Sequence, residues 1–406
     1  MNIIVQKFGG TSVATKERRE MVINKIDEAK KAGYAVVVVV SAMGRKGDPY
    51  ATDTLRGLVV ENAPILNLKH LDLLMSCGEV ISSVVLASAL EAAGYPAVPL
   101  TGYQAGIQTD DKFSSADILS INVNKILPHL EEGKVVIITG FQGATKDGFI
   151  TTLGRGGSDT SATALGVALK AKQVEIYTDV DGIMTADPNV VPRAKIIDEI
   201  NYDEVFQMAE KGAKVIHPRA VEIAQNGNIP VKIKNTMSTH PGTCIHYCRK
   251  NGGALYSTQA CKQLLTAITH KDGIVQVVIY MEEDSSKDSH LLSALADANI
   301  SIDMINFFVD KKIFTIEATQ ATALEEILKD FGVKYSLLKD CSKVTIIGSR
   351  ITGIPGVMAT VVNALADKSI KILQSSDSHA TISCLVKEED AKKAVNTLHE
   401  AFQLYQ

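Results

Sequence analysis

Residues 3–12 read Ile3-Ile4-Val5-Gln6-Lys7-Phe8-Gly9-Gly10-Thr11-Ser12. A short apolar run of strand type meets two glycines, and Thr11 and Ser12 then cap a helical pattern. Adjacent glycines let main-chain N–H groups approach an anion with no Cβ in the way, and a helix start adds partial positive charge. Lys7 beside that opening offers a mobile ammonium of the kind that neutralises charge on a transferring phosphoryl group. Taken alone, the motif is also an ordinary strand, turn and helix with a surface lysine.

Working outward, 16–32 places Val22, Ile23, Ile26 and Ala29 on one helical face, and Gly33 is a natural stop. The valine-rich run 34–40 predicts a strand buried on both faces of a parallel sheet. Strand, helix and buried strand form a βαβ unit, whose crossover is right-handed. The rhythm continues with helix 79–93, strand 97–100, helix 116–131, strand 135–139, helix 158–170 and strand 174–178. It predicts an open α/β sheet over 1–235 with helices on both faces, where ligands bind beyond the carboxyl ends of the strands.

Several strand-ending loops have the composition for that. Ser41-Ala42-Met43-Gly44 leads into a polar loop over 45–54, and Thr139-Gly140-Phe141-Gln142-Gly143 follows another strand. Leu153-Gly154-Arg155-Gly156-Gly157-Ser158-Asp159 sets an arginine among three glycines at a helix start, suited to bidentate carboxylate or phosphate binding. Ser158 or Asp159 also serves as a plain N-cap. Tyr177-Thr178-Asp179-Val180-Asp181-Gly182 and Thr185-Ala186-Asp187-Pro188 are loop formers that can also hold a nucleoside and its magnesium. Beyond helix 202–211, His217 reads as a structural residue at a helix start, because phosphoryl transfer to a carboxylate needs no general base.

Periodicity fades over 236–263, which reads as a linker. Two βαββαβ patterns of ferredoxin-like type follow, and the second lacks its fourth strand. The spare strand 264–270 is expected to complete it. That gives one unit over 271–339, inserted within a second made of 264–270 plus 340–406. Exposed edges in such units predict a homodimer or higher assembly.

The 406 residues are too many for one comfortable core. Aromatic content of 5%, no Trp and a net charge of −4 argue against a nucleic-acid binder. The start lacks a signal-peptide pattern and no apolar run approaches about 18 residues, so cytosol, with no membrane, is expected. Six irregularly placed cysteines fit reduced thiols. Cys244 and Cys248 with His240 and His246 lack the usual CxxC spacing of structural zinc, and no protein metal ligand is assigned.

KFGGTSV at 7–13 and SCGEVIS at 76–82, with the arginine–glycine loop, resemble the aspartate kinase family, in its monofunctional bacterial form with C-terminal ACT domains. The resemblance implies an amino-acid-kinase-like open α/β/α sandwich followed by two ACT units, with Mg2+ and ATP as phosphoryl donor and L-aspartate as acceptor. It implies catalytic roles for Lys7 and Asp159, and ATP contacts at Lys7, Phe8, Gly9, Gly10, Thr178, Asp179, Lys214 and Val215. Ser41, Thr52, Glu79, Arg155, Gly156, Gly157 and Ser158 would contact aspartate. Without the resemblance, Glu79 reads as a solvated carboxylate at a helix start. ACT units imply a feedback effector, lysine, meso-diaminopimelate or threonine, at Ser289, His290 and Asn306 and at Ile354, Pro355, Gly356, Val357, Gln374 and Ser375. Two alternatives remain at this point: another acyl-phosphate-forming amino acid kinase, and a non-catalytic amino-acid sensor.

Overall fold

The structure, a computed structural model, describes residues 1–60, 66–213, 215–247, 265–280, 285–348, 351 and 356–406, with the backbone alone for 285–288. Lys214, Ile354, Pro355, Cys248 and Cys261 lie outside the described residues. The chain forms two compact units. The first comprises Met1–Ile183, Ile196–Ala209 and Lys214–Cys261, and the second Met184–Lys195, Glu210–Ala213 and Lys262–Gln406.

In the first unit β1 (Ile3–Phe8), α1 (Gly10–Val13), α2 (Lys16–Lys31), β2 (Ala35–Val40), α3 (Thr52–Val60), α4 (Leu68–Ala92) and β3 (Ala97–Leu100) come first. Then follow β4 (Ile107–Thr109), β5 (Ile118–Ile121), α5 (Leu127–Glu131), β6 (Val135–Thr139), β7 (Gln142–Ala144), β8 (Ile150–Thr152), α6 (Gly157–Ala168) and β9 (Gln173–Thr178). The unit closes with β10 (Glu199–Ile200), α7 (Tyr202–Glu210), α8 (Pro218–Asn226), β11 (Val231–Asn235) and β12 (Thr243–Ile245). An eight-stranded sheet runs in the order β10-β12-β11-β9-β1-β2-β6-β3, so β1 sits centrally between two parallel neighbours. Valines 36–40 are wholly buried, as expected for a strand covered on both faces. A smaller sheet runs β5-β4-β7-β8.

Four expectations need correction. The helix predicted over 116–131 is instead β5, a short 3₁₀ turn and the five-residue α5. Ile118–Ile121 pairs with β4, Asn122 caps the turn, and Pro128 can enter a helix only in its first turn. The helix expected from residue 79 begins at Leu68, where the Asn67 side chain accepts from the Lys69 and His70 N–H groups. Its buried Asp72, Ser76 and Glu79 hide the apolar period that marks a helix. This 25-residue α4 is also long and apolar enough to cross a membrane by length and composition, with half of its apolar window buried within the protein. The glycine pair opens only the four-residue α1, and α2 has its own cap, Thr15. Finally, the expected linker 236–263 contains β12, which joins the large sheet antiparallel to β11.

The second unit holds β13 (Ala267–Tyr280), α9 (Ser285–Asp297), β14 (Asp303–Phe307), β15 (Lys311–Glu317) and α10 (Ala321–Asp330). It continues with β16 (Lys334–Ile347), α11 (Val357–Asp367), β17 (Gln374–Asp377), β18 (Thr381–Lys387) and α12 (Ala391–Ala401). One sheet runs β14-β15-β13-β16-β18-β17. The strands read separately as 264–270 and 275–280 are one strand, as are 333–338 and 343–348. Along this central pair Ala267–Lys271 faces Lys343–Ile347, and Gln276–Tyr280 faces Lys334–Leu338, with a register shift between. The early residues of β13 thus pair with the part of β16 that also pairs with β18. Two cores lie against this sheet: Val277, Leu291, Phe314 and Leu324 build one, and Ile346, Val361, Cys384 and Leu398 the other. The second core also includes Ala186 and Val191, so Met184–Lys195 packs with this unit. There His399 Nε2 lies 2.9 Å from Thr185 Oγ1.

Candidate active site

Alternation along β1 puts Phe8 and Lys7 on opposite faces of the sheet. Phe8 is fully buried and stacks on Tyr177, with ring centroids 4.7 Å apart. Its ring is therefore core, so any contact of Phe8 with ATP would have to come from its main chain. Lys7, on the other face, reaches α6, where its Nζ lies 2.7 Å from Asp159 Oδ1 and both side chains are about an eighth exposed.

The two glycines differ. A Cβ on Gly10 would lie 2.4 Å from Ala42 O and 2.7 Å from Gly44 O, so the backbones after β1 and β2 touch there only because residue 10 has no side chain. Gly9 has room, but its N–H donates to Tyr177 O at 3.3 Å and so is engaged within the sheet rather than free for an anion.

A cavity of about 590 Å³ is lined by Lys7, Ser41, Thr52, Glu79 and the run Gly154–Asp159. Five separate segments thus converge on one space, as expected at the carboxyl edge of a parallel sheet. Gly156 has φ +66, and a Cβ there would meet the His217 ring at 2.3 Å. His217 is the N-cap of α8, its Nδ1 accepting from Arg219 N–H at 3.3 Å, and burial lowers its pKa, so it stays a neutral acceptor.

Glu79 is neither at a helix start nor solvated. It lies within α4 at 2% exposure, Oε1 accepts from Ala42 N–H at 3.0 Å, and Oε2 is buried without a hydrogen-bond partner. Burial pushes its carboxyl up to about 8, against the pull of the Ala42 N–H. Glu79 thus borders the cavity with one oxygen that has no hydrogen-bond partner among the described residues, a polar atom whose burial is costly until something pairs with it.

The structure does not bring every expected residue here. Gly9, Gly10, Thr178, Asp179 and Val215 do not line this cavity. Thr178 Oγ1 donates to Asp179 Oδ1 at 3.2 Å, and Asp179 pairs with Arg45 at 2.7 Å on the surface. Phe141, from the loop after β6 singled out in the sequence, is in the wall, whereas the sequence reading missed Arg56, Leu71, Met75, Ser114 and Thr152 there. Arg56 stands one helical turn from Thr52, a spacing that would have found it had α3 been predicted.

Among the described residues no group of three or more His, Cys, Asp or Glu is placed to hold a metal ion. Cys244 and His246 are described, and His246 Nε2 lies 3.5 Å from Glu199 Oε2.

In the second unit Gln374 Nε2 donates to Asn306 Oδ1 at 2.9 Å, and Gln276 Nε2 donates to Gln374 Oε1 at 3.0 Å. This joins β14 and β17 of the two ACT-like halves. Ser289, His290, Ser375 and Gly356 are exposed, whereas Val357 is buried.

Comparisons with known proteins agree with this organisation. A model of the amino acid kinase family matches residues 2–235, and an ACT domain model matches 336–400. The chain is 44% identical over 407 residues to aspartokinase 1 of Bacillus subtilis (strain 168), covering 100% of both chains. It is similar to the crystal structure of aspartate kinase from Synechocystis, with TM-score 0.80 and 28% identity over 99% of this chain and 98% of that one. It is also similar to E. coli aspartokinase III in complex with lysine and aspartate (T-state), with TM-score 0.74 and 27% identity over 100% of both. With both regions matched and that identity over its whole length, the chain belongs to the aspartokinase family.

Proposed function

We propose that this protein brings its two anionic reactants together in the cavity bounded by Lys7, Ser41, Thr52, Glu79 and the Gly154–Asp159 run. As an aspartokinase it is an ATP-dependent kinase that phosphorylates a carboxyl group of aspartate. The reading of the site rests on one observation: cationic and hydrogen-bonding groups from five segments border a single space.

The substrate is a zwitterion with two carboxylates, and each part has a counterpart. The Glu79 carboxylate takes the ammonium, while Arg155 takes the α-carboxylate in a bidentate pair. Ser41, Thr52 and the α6 start at Gly156, Gly157 and Ser158 supply hydroxyls and N–H groups. The side-chain carboxylate oxygen then attacks the γ-phosphorus, the bond from that phosphorus to the β,γ-bridging oxygen breaks, and ADP leaves. No proton moves. The barrier is repulsion between anions, which fixed positive charge lowers. Lys7, held by Asp159, is that charge, and magnesium enters as MgATP, carried by the phosphates. Thr178, Asp179, Lys214 and Val215 take the nucleoside.

The second unit is the sensor of an amino-acid effector, with lysine first, meso-diaminopimelate and threonine next. Lysine is favoured by the similarity to aspartokinase III in complex with lysine and aspartate. Asn306 and Gln374 line the effector site, with Ser289, His290 and Ser375 near it. The β14–β15 edge exposes Ile305, Phe307, Phe308 and Val309, an apolar strip suited to pairing with a second copy in the cytosol.

Hydroxylamine trapping of acyl phosphate from ATP, magnesium and L-aspartate tests the substrate reading, with glutamate in parallel. Product from aspartate alone is expected; product from glutamate alone would overturn it.

A further inference from the structure

Asp72 has no part in the site described so far, yet it is a fully buried carboxylate beside it. It lies on α4 seven residues before Glu79, two turns away on the same face. Oδ2 accepts from the backbone N–H groups of Ser114 and Thr152, each at 2.8 Å. Oδ1 accepts from the hydroxyls of the same residues, at 3.0 Å and 2.8 Å. All four bonds therefore end on two residues of the cavity wall.

Those residues support the arginine loop. Ser114 sits at φ +69, a left-handed conformation uncommon for a side-chain-bearing residue, and both its polar groups are held by Asp72. Gly154, at φ +74, passes so close that a Cβ there would lie 3.2 Å from Ser114 O. Ala116 N–H donates to Thr152 O at 2.9 Å, which ties the two segments together again. Arg219 braces the same place, donating to Leu153 O at 3.1 Å and Ala116 O at 2.8 Å. Arg155 is the next residue after this clamped stretch.

We infer that Asp72 is a positioning residue: by pinning Ser114 and Thr152 it fixes the loop that presents Arg155 to the aspartate carboxylate. The inference rests on the reading of Arg155 given above. Geometry, rather than charge, carries the role. In Asp72→Asn the amide oxygen can keep both backbone N–H groups and the NH2 can donate to the two hydroxyls, which rotate to accept. Asp72→Ala leaves two buried N–H groups without acceptors.

The test is steady-state kinetics on the full-length enzyme. Asp72→Ala is expected to raise KM for aspartate by about tenfold or more, with KM for ATP within about twofold, and Asp72→Asn to restore the wild-type value. In an Arg155→Ala background, the same Asp72→Ala change should add less than about twofold, because the loop then has nothing to position. If Asp72→Ala does not fold, Thr152→Val removes one of the four bonds at nearly constant volume and should raise the same KM by about threefold. Equal increases in both KM values, or no change in folded Thr152→Val, would overturn the role. An unchanged KM for aspartate in Arg155→Ala alone would instead remove the substrate reading of Arg155. A defective Arg155→Ala whose effect adds fully to that of Asp72→Ala would leave that reading standing and overturn the positioning role.

Discussion

Lys7 Nζ stands 2.7 Å from Asp159 Oδ1, tying the end of the central strand to the first turn of α6. An ammonium on a long flexible stem is a poor electrostatic catalyst unless something fixes it, and this carboxylate does so at the rim of the cavity. Asp159→Asn should keep the fold and lower kcat by about a hundredfold, with circular dichroism as the folding control. Wild-type kcat in that variant would mean that Lys7 needs no anchor.

Glu79 carries a pH signature. Its carboxyl titrates at about 8 when folded against 4.5 ordinarily, so between those values the folded chain holds a proton that the unfolded chain has released. Stability from this group is therefore complete below pH 4.5 and declines as pH rises towards 8, by up to about 1.4 kcal/mol per pH unit. Glu79→Gln should flatten that slope in urea unfolding at pH 5 and pH 8. It should also abolish the fall in KM for aspartate expected as Glu79 ionises in wild type. A slope that survives the substitution would assign it to other groups.

The glycine pair separates by substitution. Gly10→Ala forces a Cβ against the Ala42 and Gly44 carbonyls and should cost about 1–3 kcal/mol in denaturant unfolding, together with most activity. Gly9→Ala meets only ordinary contacts, the nearest being Lys7 Nζ at 3.8 Å, and should fold as wild type. Equal stabilities for the two would contradict this packing.

Gln374 bonds Asn306 across the two halves of the regulatory unit, so an effector gripping either residue is felt by both. Gln374→Ala should raise the concentration of lysine giving half-inhibition by about tenfold, leaving uninhibited turnover unchanged. Inhibition curves that superimpose would move the effector site elsewhere; meso-diaminopimelate and threonine run in parallel identify the effector.

Much of this was legible before any coordinates. The valine run of β2 and the turn after β1 announced a parallel sheet, and the glycines around Arg155 announced the tight turn into α6 that borders the cavity, because burial on both faces and backbone exposure leave marks in composition. What stayed hidden has a common cause. The α4 start, Asp72 and the true state of Glu79 were obscured because polar side chains on a buried helix face look solvated until their partners, such as Ser114, Thr152 and Ala42, are known from tertiary contacts. The error over 116–131 came from a segment whose pairing partner, β4, is too short to register by periodicity. Gly9 looked free for an anion because its carbonyl partner, Tyr177, lies on a distant strand.

The most direct test is aspartyl hydroxamate formation by Lys7→Ala with saturating MgATP and aspartate. A loss of about a thousandfold in kcat with an unchanged melting curve is expected if the fixed ammonium at the end of β1 lets two anions meet. Turnover equal to wild type would contradict it.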